Sequence, residues 1–116
     1  MNIEQLREYC LSLPHTTEDL PFDEWTLCFK VGGKIFGITG LDNPVLSVNL
    51  KCDPAKAIQL REEYEDVEPG FHMNKKHWNT VTLSGKIADD VIKEWITHSY
   101  ELVFKGLPAK VRNSFA

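Results

Sequence analysis

The chain has 116 residues, 42% of them hydrophobic and 26% charged, which suits one globular domain with one core. Its 17 acidic and 13 basic residues leave a net charge of −4, which argues against strong nucleic-acid binding by the surface as a whole. No apolar run approaches the ~18 residues of a membrane span, and MNIEQLREYC lacks the regions of a signal peptide, so a cytoplasmic protein with no membrane partner is expected.

Residues 2–13 predict an amphipathic helix, with Ile3, Leu6, Cys10 and Leu13 at helical spacing. Asn2 and Gln5 fit a capping box, and Pro14 stops the helix. HTTEDLPFDE reads as a polar connection. Trp25–Val31 alternates as a half-buried strand, with Trp25, Leu27, Phe29 and Val31 on one face. Gly32-Gly33 supplies a tight hairpin turn into a return strand, Lys34–Thr39. After a turn at Leu41–Pro44, the near-continuous apolar run Val45–Leu50 predicts a central strand or one covered on both faces.

Asp53-Pro54 is a strong helix start, and the helix should run to about Tyr64, burying Ala57, Ile58 and Leu60. EDVEPG ends it. Phe71–Met73 reads as a short strand and Trp78–Leu83 as a clearer one. From Asp89 a long helix lines up Val91, Ile92, Trp95, Ile96, Ser99, Leu102 and Val103, with Gly106 just past its end and Pro108 beyond. The order α-β-β-β-α-β-β-α predicts a single-domain α+β two-layer sandwich: an antiparallel sheet with the helices on one face.

Three classes of chemistry compete in this chain. Catalysis has little to build on. His72 and His77 match no metal or nucleophile motif, and Cys10, Cys28 and Cys52 lack metal-ligand spacing. These cysteines read as reduced, buried thiols. Cys52, beside the helix start at Asp53, is the only one whose thiol a helix N-terminus would activate if it faced solvent. No cofactor, no metal and no enzymatic activity are expected.

Nucleic-acid binding has one candidate locus. Residues 1–24 carry six acids against Arg7, and 61–68 carry five against Arg61, whereas 69–86 and 103–116 contain bases and no acid. Within them Asn74, Lys75, Lys76, His77, Trp78 and Asn79, with Lys86, Lys110 and Arg112, could combine phosphate contacts, amide pairing with base edges and stacking. The competing reading makes Trp78 core, the lysines solvated and the asparagines turn caps. A third class, a protein-binding or self-associating module, rests on aromatic residues such as Trp25 and Phe36 lying on opposite sheet faces.

Several stretches together resemble the MmcQ/YjbR family of small bacterial proteins. They are Leu13-Pro14 with Glu18, FKVGGKIFGI, LKCDPAKAIQLR, PGFHMNKKHWNTVTL, SYELV and LPAKVR. The resemblance implies an α/β sandwich of the kind likened to type III secretion chaperones. It also implies DNA binding, through a likeness to a double-wing motif, and brings no catalytic residues. The expectation is a non-enzymatic binding protein, with weak DNA binding through the basic-aromatic loop as the leading idea and a chaperone-like interaction module as the alternative.

Overall fold

The computed structural model describes residues 1–115. The first helix, α1 (Ile3–Ser12), opens with the expected capping box: Asn2 Oδ1 accepts the Gln5 N–H at 2.8 Å and Gln5 Oε1 accepts the Asn2 N–H at 2.9 Å. There follow β1 (Thr16–Asp19), β2 (Thr26–Val31), β3 (Lys34–Gly40), β4 (Ser47–Lys51), α2 (Pro54–Glu63), β5 (Val67–Pro69), β6 (Trp78–Thr82), α3 (Asp89–Lys105) and α4 (Ala109–Asn113). The strands form one sheet in the order β1-β2-β3-β4-β6-β5, every neighbouring pair antiparallel.

The long helices cover one face of this sheet, giving the expected two-layer α+β sandwich. Leu6 and Cys10 of α1, Ala57 and Leu60 of α2, and Ile92, Trp95, Ile96, Tyr100 and Val103 of α3 join one core with Leu27, Phe29, Val31, Phe36, Val48, Leu50 and Val81. Ser99 joins α3 to the middle of the sheet: its hydroxyl donates to the Phe36 carbonyl at 2.6 Å and accepts the Lys51 N–H at 2.9 Å. Gly32 and Gly33 both have positive φ, 58° and 79°, as the two-residue β2–β3 hairpin requires.

The element order differs from expectation in three places. Thr16–Asp19 is a strand, not a connection. The short strand before β6 is Val67–Pro69, while Phe71–Met73 lies in a turn where His72 has φ 59°. Past Pro108 the chain makes one further short helix. Two burial assignments also change. Trp25 lies just before β2 and is 54% exposed, and Ile58 is 55% exposed on the outer side of α2. Val45 precedes β4 and is exposed, but β4 itself is central, as predicted.

The start of α2 is tied to α3. The Asp53 N–H donates to His98 Nε2 at 3.2 Å, while Asp53 Oδ2 caps the Lys56 N–H. Burial lowers the His98 pKa, Lys56 and Lys105 lower it further, and Asp53 and Glu101 act against them. A histidine held neutral when folded contributes stability that is complete above its unfolded value of about 6.5. That contribution is lost as pH falls below 6.5 and levels off below the folded value. Urea melts at pH 7.5 and 5.5 should therefore show a smaller acid loss in His98→Gln than in the parent chain; equal losses would show that this imidazole is not held neutral.

Candidate nucleic-acid interface

The loop that connects β5 to β6 is shaped from outside by one residue. Arg61 on α2 donates from Nε to Asn79 Oδ1 at 2.7 Å, and from its terminal nitrogen to the carbonyls of Lys75 and, at 3.3 Å, Trp78. The Lys75 ammonium reaches back to the Gly70 carbonyl at 2.9 Å. Asn74 Oδ1 accepts the Lys76 N–H at 2.9 Å, an Asx turn. Gly70 packs so closely on Trp78 that an added Cβ would sit 2.8 Å from the Trp78 Cβ. The loop end is joined to β4 by the Cys52 N–H, which donates to the His77 carbonyl at 2.7 Å.

These bonds sort the residues predicted for the site. Asn74, Lys75 and Lys76 are exposed, and His77 and Trp78 are half-buried. Trp78 takes no part in the core; alternation along β6 puts it on the sheet face away from the helices, opposite Lys51. Asn79 must be withdrawn from the site. It is 2% exposed, its oxygen accepts from Arg61 and its nitrogen donates to the Ala57 carbonyl at 3.3 Å, so no polar atom is left to read a base. Arg61, which stands among the acids of 61–68 in the sequence, is the residue that sequence reasoning missed. Its partners lie 14–18 positions away, and no local pattern announces them.

Lys86 must be withdrawn as well. β6 carries the chain along the sheet, so residues before and after this strand lie at opposite ends. Lys86 sits at the far end, 3.8 Å from Glu65. Lys110 and Arg112 do lie at the loop's end. Leu107 and Val111 pack on Gly32 at the β2–β3 hairpin, and Phe115 stacks on His15 with ring centroids 4.3 Å apart. In register, Val31 and Lys34 close that hairpin and Lys51 pairs with Trp78, so the hairpin, the Asn74–His77 loop and α4 share one end of the sheet. Two strand spacings, about 10 Å, separate β3 from β6 there.

An antiparallel sheet places successive connections at alternate ends, and this chain uses the alternation to sort charge. The hairpin end gathers Lys34, Lys51, Lys75, Lys76, Lys105, Lys110 and Arg112, none of them in an ion pair within 4 Å among the described residues. On the same side Asp53 is occupied as the cap of α2, and Glu101 on α3 acts with it on His98. The opposite end gathers Asp23, Glu24, Asp42, Glu65, Asp66, Asp89 and Asp90, with Lys86 among them.

The thiols lie away from this surface chemistry. Burial pushes Cys10 up to about 12 and also raises Cys28 and Cys52, so the start of α2 does not activate Cys52. All three cysteines are free and buried, as their spacing predicted. Among the described residues no helix is long and apolar enough to cross a membrane.

Comparison with known proteins agrees with this fold. The YjbR family model matches residues 11–102. The chain is 36% identical over 104 residues to the protein YbdF of Escherichia coli O157:H7, spanning 90% of this chain and 85% of that one. It is 32% identical over 112 residues to YjbR of Escherichia coli K12, spanning 97% and 95%. Among solved structures, the Deinococcus radiodurans protein DR2400, of family-model domain DUF419, superposes with a TM-score of 0.92 at 38% identity over 98% of this chain and 87% of that one. A Pseudomonas syringae protein superposes with a TM-score of 0.76 at 27% identity over 88% and 98%. By sequence over most of its length and by fold, the chain belongs to the YjbR family.

Proposed function

We propose that this domain is a non-catalytic binding protein that takes nucleic acid at its basic end. The observation that carries this reading is the sorting of charge between the two ends of the sheet. Phosphate neutralisation depends on the cations at the contact, and the basic end presents Lys76, Lys110 and Arg112 exposed and, among the described residues, without carboxylate partners within 4 Å. Binding rather than catalysis fits the raised thiols and a loop whose polar groups mostly hold the loop itself.

Salt-titrated binding tests the reading. Changing Lys76, Lys110 and Arg112 together to alanine should lower the magnitude of the log–log salt slope on duplex DNA by roughly 2–3, about 0.9 for each lost phosphate contact. The loss should be similar for all sequences, because such contacts read no base. Lys75 is left in place because its ammonium braces Gly70. Wild-type protein that binds neither duplex nor single strands at low salt would overturn the reading.

A second reading, a protein-interaction module, is favoured by Leu20, Phe22, Trp25 and Leu41, which stand 44–68% exposed at the acidic end. Self-association through that end would survive the loss of the three cations.

A further inference from the structure

We infer that the nucleic acid taken by this domain is single-stranded and runs from the basic end onto the helix-free face of the sheet. This rests on the reading of the basic end as the nucleic-acid contact and names the form of ligand that the surface fits. Alternation along β4 and β6 places Ser47, Asn49 and Lys51 on this face, opposite Thr82, Thr80 and Trp78. The Lys51–Trp78 pair is the junction, since it belongs both to the face and to the end where Lys76 and α4 stand.

Beyond that junction the face hollows into a concavity of about 410 Å³. Its floor is hydroxyl and amide: Ser47, Asn49, Thr80 and Thr82. Thr80 Oγ1 is already committed, accepting the Phe71 N–H at 3.0 Å and donating to Asn49 Oδ1. Among the described residues the Asn49 amide nitrogen makes no hydrogen bond to protein, which leaves it free to donate to a ligand acceptor. Phe71, 68% exposed, walls the concavity on the β5 side and Val45, 55% exposed, on the other. The carboxylate on this lining is Glu68, at the β5 edge. Across the sheet, Asp19 is neutralised by Lys30 at 3.1 Å.

A hydroxyl and amide floor with one carboxylate on its β5 side and the exposed Phe71 ring beside it, fed from a cluster of cations at the half-buried Trp78, suits unpaired bases rather than a duplex. Each base offers a face to Trp78 or Phe71 and an edge to Asn49, while the backbone begins among the lysines. Duplex DNA keeps its bases stacked inside, so it would engage the cations and leave the concavity empty.

Fluorescence anisotropy with a labelled twenty-nucleotide oligothymidylate and a labelled twenty-base-pair duplex, both at low salt, tests the inference. The single strand should bind about tenfold more tightly or better. Phe71→Ala should weaken single-strand binding about tenfold, and Asn49→Asp, which adds a charge to the floor, should weaken it at least as much; neither should change duplex binding. Phe71 is largely exposed, so its removal does not threaten the fold. Equal affinity for the two probes, or single-strand affinity unaltered in both variants, would overturn the inference while leaving the basic-end reading intact. Failure of both probes to bind would remove both.

Discussion

Trp95→Ala should cost about 3–5 kcal/mol, the range for truncating a large buried aromatic. The indole is 6% exposed and meets the Tyr64 ring edge-on, with centroids 5.0 Å apart. It lies among Leu50, Cys52, Leu60 and Val81, beneath α2 and over β4 and β6. The ring stands on the helix-covered sheet face that also carries Leu27, Phe29 and Val31; over β3 the corresponding aromatic is Tyr100, which meets Phe36 edge-on at 5.5 Å. Removing the indole leaves a void where two helices and two strands converge, and the backbone of a sheet cannot collapse to fill it. Urea melts measure the cost; a loss below ~1 kcal/mol would mean that α2 and α3 do not meet through this ring.

Arg61→Ala is the second large effect. It removes the donor from Asn79 Oδ1 and from the carbonyls of Lys75 and Trp78. Bonds from a charged donor are worth about 1.5–3 kcal/mol net each, so a stability loss of about 2–4 kcal/mol is expected after partial relaxation and hydration. The loop should also open, and trypsin should cut after Lys75 and Lys76 faster than in the parent chain. Arg61→Lys should rescue only part of this, because a single ammonium cannot serve three acceptors in the geometry of a guanidinium fork. A variant with unchanged cleavage rate would show that the loop is held by the Lys75–Gly70 and Asn74–Lys76 bonds alone.

Where apolar residues mark a face, the sequence is readable. The capping box of α1, the Asp53-Pro54 start of α2, the Gly32-Gly33 hairpin and the core stripe of α3 stand where their patterns place them. β1 is illegible because its helix-facing residue is charged: Glu18 turns toward α1 and pairs with Arg7 there, so no apolar alternation exists to find. β5 is hidden for a related reason. Val67 is the one apolar core residue among acids, and the strand lies within what reads as a helix stop.

The site is legible by residue type and not by partner. Lys75, Lys76, Lys110 and Arg112 do share one end of the molecule, because α3 returns the chain to the hairpin. Lys86 follows Trp78 closely in sequence, but a five-residue strand rising about 17 Å lies between them. Asn79 has the right chemistry for base pairing, yet Arg61 and Ala57 have already claimed it.

Net charge is a poor guide to how this body meets a polyelectrolyte. The shortest principal extent of the molecule is 26 Å. At physiological ionic strength the screening length is about 8 Å, so ends separated by the ~17 Å rise of β6 stand about two screening lengths apart. A phosphate at the hairpin end meets the local lysines and almost nothing of the distant carboxylates. Dilution of the salt lengthens the reach of both ends together. At about 0.01 M the screening length grows to about 30 Å, and repulsion from the acidic end then begins to act on a ligand held at the other. On the proposed reading, a phosphate at the basic end would meet local positive charge in physiological salt and the net −4 only in very dilute salt.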